Sequence, residues 1–487
     1  MSVRNGRALG LHALRRVGAV WLAVVAIGCS SAGENDTGGG VILPPDADVV
    51  DDVDRETASD GFTADLSELT PGVDTSGSDG AVGDPFEDTP EAAHDLSESD
   101  GAVEVSPDVA TDPGAGDTGG DAAPPADEAA FQAALALYDG GLFQAAIAAF
   151  EAFLDEYPGS ERVDNAAYMI ARCYYELGDF ATARQKLEAF LAAYPGSVLA
   201  DHATYYLGRA EYELADYAAA IEDLGAVIAG YPGSVYVDNA HYYRGRCRFA
   251  LADYPSALAD FEAVVALVAS SFRDAAELWA GRAEYELGRL DNVPGSAHLP
   301  AAEGWFEQLF ADYPDSPYMA QGSYYYGLAA FYRDDFPAAA DRFRALRDGY
   351  PTSIYHDNAW FYLGYSLYQA ASYTEALSEL EGFLAAYTDG AYVDNATYFA
   401  GRSHYQLALG SVSPTAHLNA AVTYFQTVID QYAGSIYADN AYYYQIKSYV
   451  KLGNCAKALS QLAKFKAALP GSTYVPMAES YVASHNC

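Results

Sequence analysis

Basic residues are scarce in this sequence. The 487-residue chain has 26 Lys and Arg against 68 Asp and Glu, which gives a formal net charge of −42. Binding to a phosphate backbone needs clustered Lys and Arg. The charge balance therefore argues against a nucleic-acid partner.

Motifs of catalysis and metal binding are also missing. The five Cys include no CxxC pair, the nine His are scattered, and no HExxH, GxSxG or GxxxxGK[ST] motif occurs. His298 and His417 end two similar insertions, but the sequence shows no partners with which they could hold a metal, so we expect both in loops. We expect no enzymatic activity, no cofactor, no metal and no small-molecule substrate.

Long apolar runs are absent except near the amino terminus. Four Arg precede the apolar run Val17–Ile27, which is too short to span a bilayer permanently and is typical of a signal peptide. The following Gly28-Cys29 resembles the lipobox of bacterial lipoproteins. This resemblance implies a signal peptide over residues 1–28, lipidation of Cys29, and, because Ser30 follows, an outer-membrane destination. The alternative is an ordinary secretory signal with an incidental Cys.

Residues 29–126 have little that could form a core. Ser30–Ala126 contains 25 Asp and Glu, with Arg55 as its one Lys or Arg, and is rich in Gly, Pro, Ser and Thr. Such a segment cannot bury enough apolar surface to offset its chain entropy, so we predict a disordered acidic linker. Asp46–Asp54 is a candidate calcium-binding run, although it lacks the glycine and final glutamate of an EF-hand loop.

What the chain does have is a repeat. A Tyr-Pro step recurs at Tyr157, Tyr194 and Tyr231, each 37 residues after the last. Self-similarity at such a period indicates stacked supersecondary units. Apolar residues three and four apart predict two helices in each unit, for example Asp238–Leu251 and Pro255–Val268.

The residues shared by the units resemble the tetratricopeptide repeat. A small residue such as Gly208 is followed by Ala220, Leu224 and Pro232 at fixed spacings. The resemblance implies an all-α fold, a right-handed α-solenoid of about nine helical hairpins over residues 127–470, with a capping helix in residues 471–487. The extended repeat style also resembles bacterial envelope lipoproteins of the BamD type and the YbgF/CpoB type.

One face of the first helices repeats Asn, aromatic and Arg residues at offsets of 3 and 4, which places them on a single helical stripe. In the tetratricopeptide family this stripe lines the groove that holds partner peptides. Packing alone would not require the Asn and Arg, which favours a partner-binding groove over a spacer surface whose Arg pair with acids such as Glu211 or Glu213. The groove residues predicted in this way are Asn165, Tyr168, Arg172, Tyr175, Tyr205, Arg209, Tyr212, Asn239, Tyr242, Arg246, Arg282, Tyr285, Asn395, Tyr398 and Arg402.

Two pairs of cysteines remain. Cys455, at the turn of the last unit, and the terminal Cys487 are a disulfide candidate if the compartment is oxidising, and two unpaired thiols otherwise. Cys173 and Cys247 occupy equivalent positions on first helices, where we expect small buried residues.

These patterns together favour a non-enzymatic outer-membrane lipoprotein that scaffolds other envelope proteins or peptides, with a role in envelope or outer-membrane protein assembly. A surface-displayed recognition or adhesion module, and a coordinator associated with Tol–Pal or peptidoglycan, remain alternatives.

Overall fold

A computed structural model describes residues 124–291 and 296–487 of the chain. The signal peptide, Cys29, the acidic linker and its candidate calcium site lie outside these residues. Every regular element in the described ranges is a helix, as the sequence predicts. None of these helices has the length and apolar character needed to cross a membrane.

The helices follow one another as α1 Ala126–Asp139, α2 Phe143–Glu156, α3 Val163–Glu176, α4 Phe180–Ala193, α5 Ala200–Glu213, α6 Tyr217–Gly230, α7 Val237–Ala250, α8 Tyr254–Ala266, α9 Arg273–Asp291, α10 His298–Asp312, α11 Met319–Tyr332, α12 Phe336–Gly349, α13 His356–Gln369, α14 Tyr373–Ala386, α15 Val393–Leu409, α16 Thr415–Gln431, α17 Ala438–Lys451, α18 Cys455–Ala468 and α19 Tyr474–Ser484.

Each helix packs against the next, and the odd-numbered helices also contact the next odd-numbered helix in most of the stack. We call the odd-numbered helices α1 to α17 the A helices and the even-numbered ones the B helices. Paired in sequence, they form nine hairpins in the described residues, which confirms the predicted α-solenoid. The final helix α19 packs on both α17 and α18.

The core lies between the A and B helices of each hairpin. One buried B-helix residue recurs in every unit, and in six units it lies against a glycine of the A helix. A methyl group added at Gly245 would lie 2.7 Å from Cε1 of Phe261, so this helix pair could not approach as closely with alanine. The recurring B-helix residues are Phe150, Leu187, Leu224, Phe261, Phe306, Phe343, Leu380, Phe425 and Leu462.

A serine–aspartate contact ties neighbouring units together. The Ser197 hydroxyl donates to Oδ2 of Asp164 at 2.7 Å, and Ser472 donates to Asp439 at 2.9 Å. Ser197 belongs to the turn before α5 and Ser472 to the turn before α19, and each aspartate lies in the first turn of the preceding A helix. The first-turn acid therefore serves the next unit as well as the dipole of its own helix.

The two insertions lengthen helices. The A helices α9 and α15 have 19 and 17 residues, where most helices have 14. His298 is the first residue of α10 and His417 lies in the first turn of α16. The expectation that both histidines lie in loops is wrong, because each belongs to the first turn of a B helix.

Candidate functional site: the A-helix face

The structure places the predicted groove residues on five A helices, α3, α5, α7, α9 and α15. Most of them are buried: the exposed fraction is 1% for Tyr205, 5% for Arg209 and 2% for Arg402. Four are half-buried, and these are Asn165, Arg172, Tyr175 and Tyr212.

Within one A helix, the tyrosine hydroxyl accepts a hydrogen bond from the arginine four residues later. Arg246 Nη1 lies 3.1 Å from the Tyr242 hydroxyl, and Arg402 Nη1 lies 2.9 Å from that of Tyr398. The pairs Arg209–Tyr205 and Arg172–Tyr168 repeat the contact at 3.3 Å. Burial raises the pKa of Tyr168, so this hydroxyl stays protonated over the physiological range.

The asparagine of the next unit reaches the same hydroxyl. Asn239 Nδ2 donates to the Tyr205 hydroxyl at 3.3 Å, from α7 to α5. The contact recurs from Asn358 of α13 to the Tyr324 hydroxyl of α11 at 3.3 Å. The asparagine thus joins consecutive units.

The guanidinium group of the same arginine lies over an aromatic ring of the next A helix. Its carbon is 3.6 Å from the ring centroid for Arg172 and Tyr206, and 3.5 Å for Arg209 and Tyr243. Desolvated contacts of this kind contribute about 2 kcal/mol. Arg246 on Trp279 at 4.0 Å, Arg282 on Tyr325 at 4.6 Å and Arg402 on Tyr444 at 3.8 Å continue the series.

We call this series of asparagine, tyrosine, arginine and ring contacts the A-helix ladder. It corrects one step of the sequence argument: packing between units does use the Asn and Arg, so their recurrence alone does not indicate a binding groove. The pairing of the Arg row with acids is present at Arg209, whose Nη2 lies 3.1 Å from Glu213. Glu211 instead interacts with Asp223 of the B helix α6.

The sequence did not identify the ring partners, Tyr206, Tyr243 and Trp279. Each ring comes three residues before the arginine of its own helix but receives the arginine of the preceding unit. From Gly208 onward an aromatic residue stands two positions before each glycine of the repeat, which is a signal visible in the sequence. Which arginine contacts that ring depends on how the hairpins stack.

The cysteines divide into two classes. Cys455 and Cys487 are joined by a disulfide that links the start of α18 to the chain end. Cys173 and Cys247 are free and buried, and burial raises the pKa of each thiol to about 12. Neither buried thiol is therefore a thiolate at neutral pH.

In the described ranges no group of three or more His, Cys, Asp or Glu is placed to hold a metal ion. The insertion histidines do have partners that the sequence did not reveal. His298 Nδ1 lies 2.6 Å from Oε2 of Glu284, and His417 Nδ1 lies 3.0 Å from Nδ1 of His404. Glu284 and His404 both stand three residues after the small residue of their A helices.

Several solved structures are similar to this chain at low sequence identity. A tetratricopeptide repeat protein from Parabacteroides merdae is 14% identical, with 54% of this chain and 91% of that chain covered and a TM-score of 0.37. The C-terminal part of a repeat-containing protein from Cytophaga hutchinsonii is 17% identical, with 56% and 98% covered and a TM-score of 0.44. PilF from Pseudomonas aeruginosa is 18% identical, with 48% and 95% covered and a TM-score of 0.36.

No curated protein matches the chain. A family model described as tetratricopeptide repeat matches residues 121–161 and 131–198. The model YfiO, described as outer membrane lipoprotein, matches residues 171–324 and 319–447. These last two matches together extend over more than half of the sequence, so the chain belongs to the YfiO family of outer membrane lipoproteins and is built of tetratricopeptide repeats.

Proposed function

We propose that this protein is a non-enzymatic scaffold, anchored to the outer membrane by a lipid on Cys29, which holds other envelope proteins or peptides on its A-helix face during envelope or outer-membrane protein assembly. The tetratricopeptide and YfiO matches support an interaction scaffold of the BamD kind. The A-helix ladder is the observation that carries the proposal from the structure.

The ladder supports this function by fixing consecutive hairpins relative to one another. Buried hydrogen bonds and ring contacts between units leave little freedom between neighbouring A helices. Binding to such a surface costs less ordering entropy than binding to a flexible one. The half-buried residues of this face, Asn165, Arg172, Tyr175 and Tyr212, are then the predicted contacts for a partner, whereas the buried residues hold the surface in place.

A photo-crosslinking amino acid in the full-length protein in its host tests this face. We expect crosslinked complexes with envelope proteins from Tyr175 and Tyr212 on the A helices. Glu188 and Glu222, exposed on the B helices α4 and α6, are the matched controls and should give none. Equal crosslinking from both faces would contradict the A-helix assignment.

Two further measurements test the anchor and the role. Cys29→Ser should move the protein from the membrane fraction to the soluble fraction, while Ser31→Ala should not. Depletion of the protein should lower the amount of folded outer-membrane barrel proteins. Unchanged barrel insertion with intact anchoring would reject the assembly role and favour a surface-displayed module.

A further inference from the structure

Each of the two insertions has one histidine at the start of a B helix, but the side chains that these two histidines contact differ. In the hairpin of α9 and α10, His298 faces the carboxylate of Glu284 at 2.6 Å. In the hairpin of α15 and α16, His417 faces His404, with the two Nδ1 atoms 3.0 Å apart. The second pair therefore brings two imidazole nitrogens together from different helices.

The ring of His404 is fixed from three sides. Its Nε2 lies 3.6 Å from Oε1 of Glu381 on α14, and the Tyr424 hydroxyl donates to the same Oε1 at 2.9 Å. The Tyr424 ring also stacks on the His404 ring, with centroids 5.6 Å apart. A carboxylate beside one ring nitrogen favours a proton on that nitrogen and leaves the other with its lone pair available, which is the usual outer arrangement of a metal-bound histidine.

We propose that His404 and His417 form a two-nitrogen binding site for a divalent transition-metal ion, with Cu²⁺ as the favoured ion. Without metal, the Nδ1–H of His417 donates to Nδ1 of His404. On binding, that proton moves to Nε2 of His417, both Nδ1 atoms coordinate the ion, and water completes its shell.

The chemistry of the two ligands favours Cu²⁺. Imidazole nitrogens suit zinc, copper, iron and nickel, and Cu²⁺ binds a given set of nitrogen ligands more strongly than the other divalent first-row ions. The 3.0 Å between the two Nδ1 atoms shows that both side chains can approach one ion.

The site is accessible to an ion without being loosely ordered. The His404 side chain is 13% exposed and His417 is half-buried. Glu381, 47% exposed, lies on the far side of the His404 ring and therefore acts as a positioning residue outside the coordination shell.

Titration of the purified full-length protein with CuCl₂, followed by calorimetry and electron paramagnetic resonance, tests this site. We expect His417→Ala to weaken Cu²⁺ binding at least tenfold and to remove one of two coupled nitrogens from the spectrum. His298→Ala changes the equivalent histidine of the other insertion and should leave both readouts as they are.

His404→Gln provides the second variant should His417→Ala lower the metal-free melting temperature, and it should weaken binding equally. Addition of Cu²⁺ should raise the melting temperature of the wild type and of His298→Ala, but not of the two site variants. Equal affinity in wild type and both site variants, or a spectrum with a single coupled nitrogen, would overturn the proposal. Tighter binding of Zn²⁺ than of Cu²⁺ would overturn the assignment of the ion.

Discussion

Two consecutive hairpins, α5–α6 and α7–α8, place an aspartate at the same position and surround it with opposite charges. Asp260 on α8 accepts hydrogen bonds from His241 at 2.9 Å, from Arg244 at 2.6 Å and from Arg248 at 2.7 Å. Asp223, 37 residues earlier on α6, faces Glu211 instead, at the position that Arg248 holds in the next unit.

The pKa values of the acids follow these surroundings. Burial would raise the pKa of Asp260, but the hydrogen bonds from His241 and Arg244 and the charges of Arg244 and Arg248 outweigh it and lower the pKa. Burial, together with the charge of Asp223 and the hydrogen bond to it, raises the pKa of Glu211 to about 8. The comparison teaches that the repeat fixes where a side chain lies, while its neighbour decides whether it is charged.

Removing the charge should have the largest effect at Asp260. Asp260→Asn leaves two arginines in a largely buried site without their counter-ion, and breaking a buried pair from one side costs about 3 kcal/mol or more. We expect a large drop in the urea midpoint at pH 7. Asp223→Asn is the matched control, because it removes an acid from an acid pair and should change stability by less than about 1 kcal/mol. Equal losses of stability in the two variants would show that the different charges around the two aspartates do not affect stability.

The second prediction concerns how the stability contributed by Glu211 depends on pH. Because its folded pKa lies above its ordinary value of 4.5, Glu211 binds more protons in the folded state. Its contribution to stability is therefore present below about pH 4.5 and is lost as the pH rises through about 8. Glu211→Gln keeps a neutral side chain, so the midpoint of the variant should gain on that of the wild type between pH 5 and pH 8.

The opposite sign applies to Asp260, whose contribution is present at neutral pH and is lost only below its ordinary pKa of 3.8. Asp260→Asn is the matched control, because a carboxyl with a lowered pKa does not titrate between pH 5 and pH 8, and the variant should show no gain there. A difference in midpoint between Glu211→Gln and the wild type that stays constant across that range would contradict the raised pKa of Glu211.

Next in size is the contact that joins the two hairpins. The Tyr205 hydroxyl accepts from Arg209 of its own helix and from Asn239 of the next. Tyr205→Phe keeps the ring stacked on Tyr236 but removes the oxygen that accepts from two buried donors. We therefore expect the free energy of unfolding, measured by urea denaturation, to fall by about 1–2 kcal/mol. Tyr217→Phe, which alters a half-buried tyrosine of α6 at the turn, should cost less than about 0.5 kcal/mol. Similar losses in the two variants would show that the Tyr205 hydroxyl contributes no more to stability than a tyrosine hydroxyl outside the ladder.

The sequence predicted the hairpins because their period, small residues and apolar spacing are local or recur at a fixed interval. It placed Asn239, Tyr242 and Arg246 on one stripe of α7 for the same reason. It did not predict that Arg209 rests on Tyr243, because that contact depends on the rotation of one hairpin relative to the next. The charges around Asp260 were equally hidden, since the alignment of units shows Arg248 in place of Glu211 but not which B-helix residue they face.

The smallest change should affect both hairpins alike. Ala215 and Ala252 follow α5 and α7 with φ angles of 57° and 58°, in the left-handed region that costs an L-residue about 1 kcal/mol. Gly178 holds this position after α3 with φ 73°. Ala215→Gly and Ala252→Gly relieve the strain but add freedom to the unfolded chain, so each should stabilise by about 0.5 kcal/mol.

Ala250→Gly, at the exposed helical end of α7, is the control and should instead destabilise by up to about 1 kcal/mol. The backbone of this turn is the same in both units: the N–H of Asp216 donates to the carbonyl of Glu211, and that of Asp253 to Arg248, at 2.9 and 2.8 Å. We expect equal gains in stability from the two glycine variants and unequal losses from the two aspartate variants. That result would show that the units share the backbone of the turn but differ in the side chains around the aspartate. Unequal gains would mean that the surrounding charges also alter the backbone of the turn.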